Sequence, residues 1–400
     1  MNAVYDHMVA IVFIGIMFVW AVSVVPQMSF NSIQAVNQQQ LRNMELNVFN
    51  SLLLDTGSAV NGSTNTKDWG SLTPFSQNAV TRFGLSSVGE STLFTLDPDK
   101  VQRLTDNPLG SISYERTKQL LGLEGYNFIF QILPPFNVTN ADGTKIDMDN
   151  SPIDVWELQN GAHPTLAYQV RIVFLDGRPI PNATVQSTAI YTEGTNFNIT
   201  GPITSKSNEM GIAHTSTALA FAPSSIMVIM KVSVADVATI VVTFGQILDD
   251  IVDINIVGDQ VTLTEPKAPN NGAVWLMDMY YYSIEGGAQH LYTGGKDGAN
   301  KLNTGSGEFL NWTRNFNGLK SLDPVVMILN VYAVPNNGEL PENGRQDLVV
   351  AGPYQNLLGY TVFEYGPSNP GLSTIVSSQR SVIISGMTYT AQFILWKESA

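Results

Sequence analysis

The residues with the most chemical content are Asp55, Thr56 and Gly57, which lie in the segment LLDTGSAV at 53–60. In aspartic proteases, this motif supplies one of two carboxylates that share a proton and activate water. The sequence holds no second Asp-Thr-Gly or Asp-Ser-Gly, so a protease would be a homodimer in which each chain contributes Asp55. The preceding residues have helical periodicity, whereas the protease motif follows a strand. We therefore predict that residues 55–57 end a helix and that the chain is not an enzyme.

Aspartates crowd the segment ADGTKIDMDNSPID at 141–154. Calcium prefers clustered carboxylate and carbonyl oxygens, but the spacing of an EF-hand and its final glutamate are absent. A solvated acidic linker is the favoured interpretation, and calcium binding stays open. The aspartates concerned are Asp142, Asp147, Asp149 and Asp154.

No other motif predicts catalysis, a metal or a cofactor. The histidines lack metal-site spacing, no HExxH or GxSxG occurs, and the glycine-rich loop at 293–298 lacks the spacing of a phosphate-binding loop. Cysteine is absent, which excludes disulfides and thiolate zinc sites. The four histidines are His7, His163, His214 and His290.

The composition indicates an acidic, strand-rich protein. The net charge of -14 and the pI near 4.6 argue against nucleic acid as a partner, because phosphate binding depends on clustered Lys and Arg. Charged residues make up only 14%, and Gly and Pro number 33 and 20, which is typical of strands joined by turns. A chain of 400 residues suggests two to four domains.

Segment 8–25 (MVAIVFIGIMFVWAVSVV) is apolar, carries no charge and is followed by Pro26. As a helix it would cover about 27 Å, close to the thickness of a bilayer's hydrocarbon core. We expect a retained single-pass membrane anchor, with the residues after 26 on the cell surface. The alternative is a signal peptide, for which Ala21-Val22-Ser23 is a weak cleavage site and a basic leading region is missing.

The helical pattern continues beyond Pro26, so we predict one helix over about 5–54. Proline can kink a helix, so Pro26 is the position where a bend would occur. Gly57 is well placed to end the helix. Its apolar positions form a stripe between polar residues. The stripe is predicted to contact a partner, either another copy or an envelope protein, and the alternative is that it packs on the chain's own head. The stripe consists of Ile33, Val36, Leu41, Met44, Val48 and Leu52.

Several short motifs occur in a fixed order after this helix: LLLDTG, DWG, FGLSS, LDPDKVQRL and YNFIF. Together with the helix they resemble a family of archaeal membrane-anchored, pilin-like surface proteins, over roughly residues 1–140. The resemblance implies anchoring and surface exposure, and it brings no catalytic residue. A pilin would normally have a basic cleavage signal and a Glu near the start of the helix, and this chain has only Asp6 there.

Alternating strand patterns dominate from about residue 160. The segments GRPIPNATV and TSKSNEMG resemble Ig-like modules of the carboxypeptidase-regulatory type. The predicted fold is α+β and mainly β: a membrane and amphipathic helix at 1–55, a small head with an acidic linker at 56–154, an Ig-like β-sandwich at 155–266 and a second sandwich at 267–400. A hairpin is predicted near the C-terminus, turning at Gly386-Met387.

We expect a structural protein of the cell envelope, pilin-like, that contributes to surface assembly or adhesion. The alternatives are a subunit of a larger membrane complex and a glycan or solute receptor that uses the aromatic residues after 274. Glycosylation would support an extracellular position. The five Asn-x-Ser/Thr acceptors are Asn61, Asn137, Asn182, Asn198 and Asn311.

Overall fold

The computed structural model describes most of the chain, and the protein is mainly β, with one long helix at its N-terminus. Within α1 the side chains of residues 8–20, 22 and 36–54 are described. The described residues are 2–89, 92–105, 110–146, 151–153, 158, 164–193, 196–245, 253–264, 273–302, 312–334, 345–351, 363–367 and 374–398.

Helix α1 spans Asn2–Leu54 and is not broken at Pro26. Its 53 residues make it about 80 Å long. After Leu54 the chain turns at Gly57, whose φ of +66° favours glycine. A side chain there would also collide with the carbonyl of Arg82 and the indole of Trp69. The predicted helix and its end are therefore confirmed.

The N-terminal half of α1 exposes apolar side chains on all sides. Among the described residues, no helix combines the length and the apolarity that crossing a membrane requires. The exposed large apolar residues of this half are Met8, Val9, Ile11, Val12, Phe13, Ile14, Ile16, Met17, Phe18, Val19, Trp20 and Val22, between 54% and 69% accessible.

Two short α-helices, two 3-10 helices (Gln77–Ala79 and Lys320–Leu322) and 21 strands follow in the described ranges. The hairpin predicted at the C-terminus is present as β20–β21. The α-helices are α2 (Pro98–Gln102) and α3 (Tyr114–Leu120). The strands are β1 (Ser58–Asn61), β2 (Thr64–Thr66), β3 (Val80–Arg82), β4 (Tyr126–Leu133), β5 (Asn137–Asn140), β6 (Thr165–Val173), β7 (Thr184–Glu193), β8 (Asn196–Lys206), β9 (Ile212–Ala218), β10 (Ser225–Val234), β11 (Val237–Gly245), β12 (Asp253–Val257), β13 (Gln260–Thr264), β14 (Ala273–Ser283), β15 (Gly287–Thr293), β16 (Trp312–Asn315), β17 (Val326–Val334), β18 (Arg345–Ala351), β19 (Phe363–Tyr365), β20 (Ile375–Ile384) and β21 (Met387–Lys397).

The head is built on an antiparallel sheet in the order β19-β4-β21-β20, which we call the head sheet. Strand β4 pairs with β21 from Leu133 opposite Thr390 to Tyr126 opposite Lys397. The C-terminal half of α1 packs on this sheet. Leu52 and Leu53 are almost fully buried, and Phe49 stacks on Phe393 with ring centroids 5.7 Å apart. The end of the chain therefore completes the core that begins in α1.

Two β-sandwiches are formed by the part of the chain between β4 and β19, that is, between the first and the later strands of the head sheet. In the first, sheets β5-β6-β9 and β11-β10-β7-β8 enclose one apolar core, and Tyr168 donates a hydrogen bond across it to Ser187. In the second, sheets β12-β13-β16 and β15-β14-β17-β18 enclose another. Strands β10 and β17 bury both faces, because alternate residues such as Met227 and Ile328 also join the head core.

The observed units differ from the predicted segments. The first sandwich takes β5 from the predicted head segment 56–154 and ends at β11, so that β12 and β13, within predicted segment 155–266, belong to the second sandwich. Strands β19, β20 and β21 of predicted segment 267–400 belong to the head sheet. Strand pairing between residues so far apart in the chain leaves no local pattern from which the boundaries could be predicted.

We predict that Phe49→Ala lowers the free energy of unfolding by about 3–5 kcal/mol, because it removes a fully buried ring and leaves a cavity against Phe393. Denaturant titration of the full chain in detergent would measure this loss. Val36→Ala is the control, since Val36 lies on the same helix but is 52% exposed. Equal effects of the two substitutions would contradict the docking of α1.

Candidate functional site

The most strongly charged buried region lies in the segment LDPDKVQRL at 96–104. Asp97 begins α2: its Oδ1 accepts a hydrogen bond from the Asp99 backbone N–H at 3.0 Å, and Pro98 follows at the first helical position. Asp97, Asp99, Lys100 and Arg103 are each at most 3% exposed. Burying these charges is costly unless each one is paired or hydrogen-bonded.

Lys320 comes from the second sandwich and lies among three carboxylates of the head. Its Nζ is 2.8 Å from Asp68 Oδ1, 3.2 Å from Asp97 Oδ2 and 3.0 Å from Asp99 Oδ2. The three carboxylates are close enough together to bind one metal ion. The ammonium group already lies within contact distance of all three, so it supplies the positive charge that this cluster needs. We call Asp68, Asp97, Asp99 and Lys320 the charge clamp.

The pKa values in the charge clamp reflect burial and mutual attraction. Burial, reinforced by Asp99, raises the pKa of Asp97 to about 6, although Lys320 and Lys100 act in the opposite direction. Burial is the largest single effect on Asp68 and acts to raise its pKa, but the hydrogen bond and the charge of Lys320, together with Ser71 and Lys100, hold that pKa below its usual value. Burial lowers the pKa of Lys320 less than the three carboxylates raise it, so this lysine stays charged.

Backbone hydrogen bonds reinforce the junction between the head and the second sandwich. Gln102 donates from Nε2 to the Ile256 carbonyl at 2.7 Å, and the Gly258 N–H donates to Asp99 Oδ2 at 3.1 Å. On the sandwich side, Asp259 accepts from the N–H groups of Gly318 and Lys320, both at 3.0 Å. These contacts position Lys320 toward the head and make the clamp a connection between two units.

Lys100 and Arg103 satisfy carbonyl groups inside the head. Lys100 Nζ donates to the carbonyls of Thr56 and Ser86 at 2.9 and 2.7 Å, so it holds the turn that follows α1. Arg103 donates to the carbonyls of Gly70, Leu72 and Gly110, each at 2.9 Å. Burial lowers the pKa values of both side chains, to about 10 in the case of Arg103. Their donors are committed to structure rather than to a substrate.

Asp55 has a structural environment. Its Oδ1 accepts a hydrogen bond from the Gly57 N–H at 2.8 Å and lies 2.8 Å from Nη2 of Arg82. The motif follows Leu54, the last residue of α1, and not a strand. The chain itself brings no second carboxylate to Asp55 among the described ion pairs and hydrogen bonds. The arrangement stabilises a turn and offers one chain no proton-sharing pair.

The predicted stripe of α1 divides into two parts. Leu41 and Leu52 are buried, and Met44 and Val48 pack against the same core, so these four residues contact the chain's own head and not a partner. Val36 is 52% exposed, and the side chain of Ile33 lies outside the described residues. The expectation of partner contact is therefore corrected from residue 41 onward, because the head sheet covers this face of the helix.

The glycosylation candidates occupy different environments. Asn61 and Asn182 are exposed, at the β1–β2 turn and before β7. Asn137 is half-buried on β5. Asn198 is also half-buried, and its Nδ2 donates to the Tyr191 hydroxyl at 2.8 Å, which competes with attachment of a sugar. Asn311 lies outside the described residues.

The remaining candidate residues form neither a catalytic site nor a metal site within the part of the chain that the structure describes. Of the proposed calcium ligands only Asp142 is described, and it accepts hydrogen bonds from Thr144. The other three aspartates and His163 lie outside the described residues. His290 contacts both Asp278 and Thr293, but through Nε2 in each case, whereas a catalytic triad needs a different ring nitrogen for each partner.

The aromatic residues after 274 mostly build cores. Tyr282, Trp312 and Tyr332 are at most 7% exposed. Trp275 is half-buried, with the Tyr332 ring 6.2 Å away and Lys301 Nζ 5.8 Å from its centroid. Lys296 Nζ lies 3.3 Å from the centroid of Tyr332. Cations already contact these rings, so the arrangement gives little support to a sugar-stacking platform.

The sequence reading missed the charge clamp. Its three aspartates lie in the motifs DWG and LDPDKVQRL, which carry the family resemblance but predict no charged site. The available signal was the dense charge of LDPDK within a chain poor in charged residues. Lys320 carried no signal, because it is 252 residues from Asp68 and lies in a single turn of 3-10 helix between two strands.

Comparisons with known proteins identify no family. No family model and no curated protein match the chain. Among solved structures, Escherichia coli alpha-2-macroglobulin activated by porcine elastase is 10% identical over 62% of this chain and 23% of its own, with a TM-score of 0.21. The bacterial integrin-binding protein invasin is 16% identical over 64% of this chain and 54% of its own, with a TM-score of 0.16.

A second structure of the Escherichia coli macroglobulin, activated by trypsin, gives 9% identity, coverage of 64% and 23%, and a TM-score of 0.16. This chain covers less than two thirds of each of these neighbours. At such TM-scores the likeness supports no inference about function, and the resemblance to archaeal pilin-like proteins stays a prediction.

We predict that Lys320→Met destabilises the protein by about 3–5 kcal/mol, because it leaves buried carboxylates without their cation. Adding Asp97→Asn should recover part of the loss, since one uncompensated charge is then removed. Denaturant titration would measure both variants. Lys67→Met is the control, because Lys67 is an exposed lysine of the same head. Strictly additive losses in the double variant would contradict the clamp.

The raised pKa of Asp97 predicts a pH dependence. The folded protein binds this proton more tightly than the unfolded chain, so stability should fall by up to about 3 kcal/mol as pH rises from about 4 to about 6. Buried Glu45, whose pKa is also raised, adds a decrease of the same sign. Asp97→Asn should flatten the slope of unfolding free energy against pH.

Asp176→Asn is the control for this slope, because Asp176 is exposed and its pKa is lowered, so its titration lies below the window. An unchanged slope in Asp97→Asn would show that another group is responsible.

Proposed function

We propose that the protein is a non-enzymatic structural component of the cell envelope, anchored in the membrane by the N-terminal half of α1. The observation that carries this proposal is the ring of exposed apolar side chains between Met8 and Val22. A helix that is apolar on every side needs an apolar environment all around it. A partner helix would cover one stripe only, whereas lipid covers every face.

The described part of α1 is not long enough by itself for this role, and the sequence supplies the remaining length. The described run from Met8 to Trp20 covers about 20 Å, and the sequence continues it without charge to Val25, for a total of about 27 Å. A bilayer's hydrocarbon core is about 30 Å thick. The polar segment QQQLRN at 38–43 lies beyond it, where the helix approaches the head.

The docking of the last turns of α1 on the head supports a tethering role. Phe49, Leu52 and Leu53 are buried under the head sheet, so the C-terminal end of the helix is fixed to the head. With the stripe from Leu41 onward committed to the head, we propose that any self-association or binding of other envelope proteins through the apolar side chains of α1 uses the part of the helix before Leu41. Exposed sequons at Asn61 and Asn182 fit a position outside the cell for the residues after 26.

A flotation experiment tests the anchor. The full chain, purified in detergent and reconstituted with uncharged phosphatidylcholine vesicles, should float with them. Ile14→Lys combined with Phe18→Lys should abolish flotation, because each charge costs about 3 kcal/mol near the bilayer centre. Gln38→Lys with Gln39→Lys is the matched control, since it adds the same charge at exposed positions of the same helix.

Wild-type protein that stays at the bottom of the gradient would contradict the membrane anchor. In intact cells, protease added outside should degrade the residues after 26, and complete protection would contradict the extracellular assignment. Filaments seen by electron microscopy would favour the pilin-like form of the proposal, and discrete particles an envelope protein that does not polymerise.

A further inference from the structure

Lys118, Asn127 and Glu398 meet at one edge of the head. Lys118 lies on α3 and is only 9% exposed, and its Nζ is 3.2 Å from Asn127 Oδ1. The same Nζ is 3.4 and 3.5 Å from the two carboxylate oxygens of Glu398. A largely buried amine therefore lies between a side-chain amide and a carboxylate.

The local backbone keeps these three groups together. Residues 121–125 form the tight connection between α3 and β4, with the Leu123 N–H donating to the Lys118 carbonyl at 3.0 Å. The Glu398 N–H donates to the Gly125 carbonyl at 3.0 Å, which attaches the end of β21 to the same connection. The amine lies on α3, the amide on β4 and the carboxylate directly after β21, so three separate elements hold the three groups.

The amide of Asn127 is polarised from a second direction. The Tyr114 hydroxyl accepts a hydrogen bond from the Phe128 N–H at 2.9 Å, and its single proton has two acceptors, the Phe128 carbonyl at 3.2 Å and Asn127 Oδ1 at 3.4 Å. Burial raises the pKa of Tyr114 to about 12, so the hydroxyl keeps its proton and can donate. A donor at this oxygen would stabilise the negative charge that develops when a nucleophile attacks the carbon.

We propose that Lys118 and Asn127 form an intramolecular amide bond, with Glu398 as the group that transfers the proton. The carbonyl carbon lies within about 4.4 Å of Nζ, because it is one C=O bond from Oδ1. Reactants held together behave as if present at very high concentration once the reacting atoms are about 3–3.5 Å apart, so Nζ needs only a small approach toward this carbon. The proposal concerns a covalent cross-link inside the head and does not depend on membrane anchoring.

The reaction balances without another reagent. Glu398 takes a proton from the ammonium group of Lys118, and the freed lone pair attacks Cγ of Asn127. The new C–N bond forms, the bond from Cγ to the amide nitrogen breaks, and Glu398 passes the proton to the departing nitrogen. The lysine nitrogen gives up a second proton, which Glu398 carries to the same departing nitrogen. The products are one secondary amide and one ammonium ion, with Glu398 again a carboxylate and no change of oxidation state.

The site is one where a cross-link would be useful. The chain has no cysteine, so disulfides cannot staple it. The bond would tie α3 to β4, the strand that pairs with both β19 and β21 in the head sheet. This is the sheet on which α1 is docked, so the cross-link would reinforce the part of the head that bears the anchor.

Mass spectrometry of the purified full chain tests the proposal. The wild-type protein should be lighter than its calculated mass by about 17 Da, the mass of ammonia. Trypsin cannot cleave after a lysine whose amine is acylated, so residues 117–145 should appear as one peptide that carries the same deficit. Cleavage of that peptide at Glu124, which lies between the linked residues, should leave its two halves joined.

Two conservative variants serve as controls. Lys118→Arg keeps the charge but removes the nucleophilic amine. Glu398→Gln keeps the shape of the side chain but removes the proton carrier. Both should show the full calculated mass and separate into two fragments after cleavage at Glu124. A wild-type protein with the full mass, whose residues 119–145 are released by trypsin, would reduce the contact to an ion pair and overturn the proposal.

Discussion

The packing of the last turns of α1 against the head sheet is the interaction on which the other parts of this protein depend. Phe49 stacks on Phe393, and Leu52 and Leu53 are fully enclosed. The sheet itself exists only because β4 pairs with β21, so the core closes when the final strands return to the head. Both sandwiches are therefore insertions between two parts of one sheet.

This topology explains why several strands are apolar without alternation. In β10 the residues from Ile226 to Met230 are all fully buried, since one face belongs to the first sandwich and the other contacts the head core. In β17, Met327 and Leu329 face the second sandwich while Val326 and Ile328 face the head. A single sandwich that stood free in water would show one wet face on each strand.

The charge clamp solves a different problem at the same junction. Asp97 and Asp99 are buried, and Asp68 and Lys320 are partly exposed, where the second sandwich meets the head. Replacing such a cluster with apolar residues is often neutral for stability. Charges have directional partners, however, so they specify one orientation of the two units, which apolar contacts would leave less defined. Buried Glu45 is a smaller example of a directional polar contact between two elements. Its Oε2 accepts a hydrogen bond from the Ser378 hydroxyl at 2.9 Å, which links α1 to β20.

The sequence by itself determined the features that depend on neighbouring residues. The 3.6-residue period predicted α1 to its last turn, and Gly57 predicted where it ends. Alternation predicted a strand-rich region from about residue 160, including the hairpin β20–β21. Only the tertiary structure decided that the stripe from Leu41 onward belongs to the head, that β5 joins the first sandwich, and that Lys320 lies among Asp68, Asp97 and Asp99. Those outcomes depend on contacts between residues tens to hundreds of positions apart, and a local pattern records that a face is apolar or charged but not what covers it.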